Sequence, residues 1–166
     1  IKLKVKIGVS NIFAREKEMT KKVFSKLKNI PNLHLLAENI EERLPVISFY
    51  IDDLHYNLGV RLLNDRFGIQ VRGGCSCAGT YGHYLLHVSK RKSKEITQMI
   101  EHDDLSSKPG WIRMSLNPVM TNDEIEIILH AIEELALKHI EWSDDYNYDP
   151  HNNCFIHKSK PEFEKI

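Results

Sequence analysis

Glycine is concentrated in one short segment of the chain, and this segment limits the possible folds more than any other. Gly73 and Gly74 are adjacent, and Gly79 and Gly82 follow closely. Glycine adopts backbone angles that other residues resist, and it weakens the interior of a helix or a strand. The cluster therefore predicts a loop that approaches another part of the molecule closely, and such loops often carry function. A tight surface loop with buried thiols is the other interpretation.

The same segment holds several reactive side chains. Arg72 precedes the glycines, and Cys75, Cys77, His83 and His87 follow in the order Cys-x-Cys-x5-His-x3-His. All four of these residues belong to types that bind zinc. Zinc sites usually place two residues between paired cysteines, whereas this chain has one, so the spacing matches a zinc motif only loosely. A free-standing binding module built on this loop, with or without zinc and without catalysis, stays open beside an enzymatic role.

Length and charge exclude several classes of protein. The chain has 166 residues, which suits one domain. Lys and Arg total 23, as do Asp and Glu, so the net charge of zero favours neither nucleic acid nor an anionic membrane as a partner. No apolar run approaches the roughly 20 residues that span a bilayer. Three cysteines, an odd number, do not indicate a disulfide framework, which favours a reducing, cytoplasmic location.

Apolar patterning predicts the main elements. Segments rich in β-branched and aromatic residues predict strands at 33–37, 45–51, 69–72 and 111–116. Helical spacing of apolar residues predicts helices that begin at Ser10 or Asn11, at Asp52 or Asp53, and at Ser93. The segment that begins at Thr121 carries a capping box, so it is the clearest helix. Residues 1–9 alternate between apolar residues and lysine, which taken alone predicts a strand.

Mixed strands and helices predict an α+β fold, with a small, mostly antiparallel sheet and helices packed on one of its faces. From about Ile140 the helical pattern fails, and aromatic residues are scattered among Asp, Asn and Pro. We therefore expect a body formed by residues 1–139 and an irregular C-terminal tail formed by residues 140–166. The chain begins with Ile1 and not with methionine, so we also expect it to be part of a longer protein.

Arg113 is a candidate binding residue because of its place in a strand. Trp111, Arg113 and Ser115 alternate with the apolar residues Ile112 and Met114, so the two sets face opposite sides of the sheet. An arginine that points away from the core is either an edge charge or a two-pronged donor to a carboxylate.

Two segments resemble the class V aminotransferases of the cysteine desulfurase and selenocysteine lyase type. The segment from Gly68 to Ala78, GIQVRGGCSCA, resembles the family's Arg-x-Gly-x-x-Cys-Ala loop. The segment GWIRMSLNP at 110–118, followed by TNDEI at 121–125, resembles the family's Arg-x-Ser strand and the capped helix after it. Order and spacing also fit at 14–16, 43–49 and 62–66, so the resemblance covers about residues 8–138.

The resemblance implies the small C-terminal domain of an enzyme that depends on pyridoxal phosphate. An upstream large domain would hold the cofactor on a lysine, no cofactor is expected in this chain alone, and residues 1–6 would finish a helix. Cys77 would accept sulfur, Arg113 and Arg72 would bind a small amino-acid substrate, and the active-site loop would include Gly73, Gly74, Cys75 and His83. The full-length enzyme would be a homodimer.

The loop also departs from the desulfurase pattern. Cys75 and Ser76 replace two residues that are often histidines in that family, and the continuation from Gly79 is longer. Sulfur transfer, selenium release and transamination therefore all stay open as the reaction of the full-length enzyme.

Overall fold

The computed structural model of the chain describes residues 2–40, 42–74 and 79–159. These residues form six helices and six strands in an α+β arrangement, which confirms the predicted fold class. In chain order the elements are α1 (Lys2–Ile7), α2 (Val9–Leu27), β1 (Leu33–Leu35), β2 (Val46–Ile51), α3 (Tyr56–Phe67), β3 (Arg72–Gly74), α4 (Gly79–Leu85), α5 (Lys90–Glu101), β4 (Trp111–Ser115), α6 (Asn122–Ser143), β5 (Tyr146–Asp149) and β6 (Cys154–His157).

The main sheet has four strands in the order β1-β2-β4-β3, and every neighbouring pair is antiparallel. Alternate side chains of β2, namely Ile47, Phe49 and Ile51, are buried. In β4 the buried residues Ile112 and Met114 lie opposite Phe49 and Ile47. These residues form the core face of the sheet, because side chains directly opposite on neighbouring strands share a face.

Three helices supply the other half of the core. Buried residues of α2, α3 and α6 belong to one hydrophobic cluster with the core face of the sheet. Met19 and Val23 come from α2, Leu62 comes from α3, and Ile125 and Ile132 come from α6. In each of these helices the buried residues recur every three or four positions, so each helix packs one face against the sheet.

The first residues form helix α1 and not the strand that their alternation predicts. The family resemblance had implied a helix at this place, and it gave the correct result. No residue of α1 is buried, and its side chains Leu3 and Val5 are 67% and 72% exposed. Alternation predicts a strand only where one face of the segment is buried, and neither face of this segment is buried against the described residues.

Three helix starts differ from those predicted. Gly8, with φ 89°, precedes α2 and has no capping side chain. His55 caps α3, because its Nδ1 accepts a hydrogen bond from Asn57 N. Ser89 caps α5, and Ser93 bonds to His83 instead. Each true cap satisfies backbone amides that would otherwise lack a partner, and a neighbouring residue of a suitable type cannot be distinguished from it by sequence alone.

The segment after residue 139 is more ordered than predicted. Helix α6 continues to Ser143, and β5 and β6 form an antiparallel hairpin. Trp142 and Tyr146 belong to the hydrophobic core, and the Tyr146 hydroxyl donates a 2.9 Å hydrogen bond to Asp65 Oδ2. Burial and this hydrogen bond raise the pKa of Tyr146 to about 12, so the hydroxyl stays protonated and remains a donor. The irregular tail is therefore a wrong prediction for residues 140–159, because long-range contacts order them.

No helix among the described residues is both long enough and apolar enough to cross a membrane.

Candidate active site

A row of three polar side chains crosses the sheet on the face opposite the core. Arg113 of β4 lies directly opposite Ser48 of β2 on one side and Arg72 of β3 on the other. Residues in such register share a face of the sheet, so the three side chains project from the same side. We call this row, Ser48, Arg113 and Arg72, the arginine row. The alternation predicted the outward direction of Arg113, and the family resemblance implied that Arg72 and Arg113 act on one substrate, but neither gave their direct register.

The two arginines of this row are an electrostatically costly pair. Like charges directly opposite on neighbouring strands repel each other and destabilise a sheet. In the described part of the chain, neither arginine forms an ion pair with a carboxylate. An anion placed between the two guanidinium groups would relieve the repulsion, because each group offers several N–H donors in a planar fork.

Arg113 also has one hydrogen-bond donor that is not used within the described residues. Its Nε is buried and has no hydrogen-bond partner among the described residues. Buried polar atoms in folded proteins nearly always have partners, so an orphaned donor needs a specific explanation. A ligand that supplies an oxygen to this Nε would satisfy it. Trp111 lies on the same face of β4 and is only 5% exposed, although it is outside the main core cluster.

The predicted glycine loop is wrong for these residues, because Gly73 and Gly74 lie in β3, and Gly79 and Gly82 lie in α4. The expected close approach is present, since the glycines of β3 allow the strand to come near the start of α3. A Cβ on Gly73 would lie 2.9 Å from Asn57 Oδ1 and 3.0 Å from the Tyr56 ring. Gly74 has φ 111°, a conformation that strongly favours glycine. A Cβ on Gly110, just before β4, would lie 2.5 Å from the same ring. Tyr56 and Asn57 therefore set the position of β3, and the sequence analysis missed both of them.

The later part of the glycine-rich segment forms helix α4. His83 lies in α4, and its Nδ1 is 3.0 Å from the hydroxyl of Ser93 in α5. This contact holds α4 against α5. Cys75 and Cys77 lie outside the described residues, so the predicted thiol site and the zinc alternative stay predictions. Among the described residues, no three His, Cys, Asp or Glu side chains are grouped as metal ligands.

A cavity of ≈ 390 Å³ lies between β1 and the end of α4. Its walls include His34 and Tyr50, whose rings stack at 4.7 Å, together with Tyr84 and His87. Neither arginine of the arginine row lines this cavity. The cavity and the arginine row are therefore separate features of the molecule.

The fold and the arginine row define an α+β domain that presents two cations side by side on the outer face of its sheet. The sequence model of the class V aminotransferases matches residues 1–128, and the chain belongs to this family. A cysteine desulfurase of Wigglesworthia glossinidia brevipalpis is 34% identical over 74 residues, which are 44% of this chain and 17% of that protein.

A solved structure supports the same fold. The crystal structure of the cysteine desulfurase CsdA (S-sulfonic acid) from Escherichia coli matches with a TM-score of 0.53. The match covers 83% of this chain and 28% of that chain, at 14% sequence identity. The chain therefore spans less than a third of the length of either relative.

Proposed function

We propose that this chain is the C-terminal small domain of a pyridoxal-phosphate-dependent enzyme of the cysteine desulfurase type. In this proposal residues 1–139 correspond to the family's small domain. Arg113 and Arg72 bind the carboxylate of a small amino-acid substrate, and Cys77 accepts its sulfur. The full-length protein is a cytoplasmic homodimer whose upstream domain holds the cofactor.

The single observation that carries this proposal is the unpartnered Arg113 Nε beside a second arginine. A carboxylate has two oxygens in the plane that an arginine fork matches, and such charge-assisted bonds are about twice as strong as neutral ones. Ser48, on the other side of Arg113, adds a hydroxyl to the same row. An amino acid that enters this row carboxylate first would leave its α-amino group and side chain free to reach other groups.

The cofactor fits this arrangement only if another domain holds it. The arginine row offers cations and a hydroxyl, which suit an anionic group, and it contains no lysine to bond the cofactor's aldehyde carbon. When bound by the upstream domain, pyridoxal phosphate would supply the electron sink for bond cleavage. The residues of this chain would hold the substrate carboxylate and receive the sulfur.

Exposed apolar side chains at the start of the chain also favour a larger protein. Leu3, Val5, Val9 and Phe13 of α1 and α2 are each more than half exposed. Apolar surface that is gathered in one region usually marks a contact with another protein surface. An upstream domain of the same chain would cover this surface.

The sulfur transfer itself needs a thiolate. The Cys77 thiolate attacks the sulfur of the substrate, an S–S bond forms and the substrate's C–S bond breaks. The electron pair of the broken bond goes to the substrate carbon, which then takes up a proton. Arg72 lies five positions before Cys77 in the sequence, and a nearby cation favours a thiolate over a thiol.

The test is the reaction of the full-length protein, loaded with pyridoxal phosphate, with L-cysteine. We expect alanine and, in the presence of a reducing thiol, sulfide in equal amounts. Cys77→Ser should abolish sulfide release, whereas the matched variant Cys75→Ser should retain it. If Cys77→Ser releases sulfide at the rate of the unchanged protein, the sulfur-accepting role is wrong. Turnover of L-selenocysteine alone would indicate a selenocysteine lyase, and release of an oxo acid would indicate a transaminase.

A further inference from the structure

Tyr56 and Asn57, the first two residues of α3, stand between β3 and the C-terminal hairpin. On one side, both side chains approach Gly73 so closely that a Cβ there would lie within about 3 Å of each. The ring of Tyr56 also fills the space beside Gly74 and Gly110. The position of these two side chains therefore decides where the backbone of β3 can lie.

On the other side, both side chains bond to Asn153, in the turn of the hairpin. The amide Nδ2 of Asn153 donates to the Tyr56 hydroxyl at 2.8 Å. The backbone carbonyl of Asn153 accepts from Asn57 Nδ2 at 2.6 Å. Its side-chain Oδ1 accepts from the Tyr148 hydroxyl at 3.0 Å. One residue thus fixes the two side chains that shape β3, and its φ of 51° is the left-handed conformation that the turn requires.

The hairpin is anchored to other parts of the molecule, so Asn153 has a fixed position from which to hold Tyr56 and Asn57. The hydroxyl of Tyr146 bonds to Asp65 in α3, and Asp145 pairs with Arg66 at 2.8 Å. At the turn, the carbonyl of Pro150 accepts a 3.0 Å hydrogen bond from Leu105 N. The hairpin is therefore held at both ends by parts of the molecule that are distant in sequence. By contrast, β3 is a three-residue edge strand, and among the described residues β4 is its one pairing partner, so backbone hydrogen bonds alone hold it weakly.

We propose that Asn153 is a positioning residue for the arginine row: through Tyr56 and Asn57 it holds β3 so that Arg72 lies opposite Arg113. The hairpin that carries Asn153 lies beyond residues 1–128, the part that matches the family model. The link from Asn153 to β3 stands on the contacts alone, and only its consequence for substrate binding rests on the proposed function.

The test uses Asn153→Gly in the full-length protein, because glycine removes the amide side chain and keeps the left-handed backbone. We expect hydrogen exchange at the amides of Arg72 and Gly74, which face β4, to become at least about tenfold faster, with no change at Ile47 and Phe49 in β2. The KM for L-cysteine should rise at least about threefold while kcat stays within about twofold, as for a loss of substrate binding. Tyr56→Phe keeps the ring and removes the hydroxyl. It should also speed exchange in β3 and raise the KM for L-cysteine.

Two control variants separate positioning from general destabilisation. Asn147→Ala alters an exposed side chain of the same hairpin, and Ile132→Val removes one core methyl group from α6. Neither variant should change exchange at Arg72 and Gly74 or the KM for L-cysteine. Exchange at Arg72 and Gly74 that is unchanged in both Asn153→Gly and Tyr56→Phe would overturn the inference. If the protein does not turn over L-cysteine, the proposed function fails, and the exchange experiment still decides the role of Asn153.

Discussion

At the scale of single residues, His55 links the start of α3 to the hairpin. Its ring stacks on Tyr56 at 4.5 Å and lies 5.3 Å from the rings of Tyr148 and Phe155. Its Nδ1 accepts the capping hydrogen bond from Asn57 N, and its Nε2 is buried without a partner among the described residues. Burial lowers the pKa of His55 below its ordinary value of 6.5. Protonation would also turn Nδ1 into a donor and break the cap.

This environment makes part of the folding stability depend on pH. Because the pKa of His55 is lower in the folded chain, the unfolded chain takes up the proton first as the pH falls. The contribution of His55 is therefore complete above about pH 6.5 and is lost as the pH falls from there through the folded pKa. We expect the free energy of unfolding in urea to decrease from pH 7.5 to pH 5.5, roughly the range where histidine titrates. His55→Asn keeps a capping oxygen and does not titrate, so its decrease should be smaller. An equal decrease in both proteins would contradict this account.

At the scale of elements, the start of α6 shows how local chemistry fixes a helix boundary. Glu124 N donates to Thr121 Oγ1 at 3.2 Å, and Thr121 N donates to Glu124 Oε2 at 2.7 Å. Both halves of the predicted capping box are therefore present. The guanidinium of Arg15 in α2 also bonds to the carbonyl of Met120 at 2.8 Å, so the boundary is tied to a second helix.

Removing the cap should have a measurable cost. Thr121→Ala removes the side-chain acceptor, and we expect a loss of about 0.5–2 kcal/mol in the free energy of unfolding. Thr121→Ser keeps the hydroxyl and should stay close to the unchanged protein. Urea unfolding of both variants at neutral pH measures the difference. If the alanine and serine variants are equally stable, the capping box does not stabilise α6.

Elements with strong local signals could be predicted, and elements that depend on distant contacts could not. The alternation in β2, the stripe and capping box of α6, and Gly68 as the left-handed end of α3 are all readable from neighbouring residues. The hairpin of β5 and β6 carries no such pattern, because its aromatic residues pack against α3 and His55. In the candidate site the outward face of Arg113 was predictable, whereas its register with Arg72 depends on a pairing between residues that are far apart in sequence.

At the scale of the whole molecule, the hairpin and the body share one core. Trp142 and Tyr146 pack in the same hydrophobic cluster as Phe49 and Leu135. Arg66 adds a cation–π contact, with its guanidinium carbon 4.3 Å from the centre of the Trp142 ring. The chain therefore presents a continuous body with the arginine row on the face of the sheet opposite this core.

The central claim is that Arg113 binds the carboxylate of an amino-acid substrate, and Arg113→Lys in the full-length protein tests it most directly. Lysine keeps the charge but cannot make the paired contact of a guanidinium fork. A lost charge-assisted hydrogen bond is worth about 1.5–3 kcal/mol, so kcat/KM for L-cysteine should fall at least about tenfold. The control Arg91→Lys, at a side chain that is 92% exposed, should leave kcat/KM unchanged. A kcat/KM for Arg113→Lys within about twofold of the unchanged protein would contradict the claim.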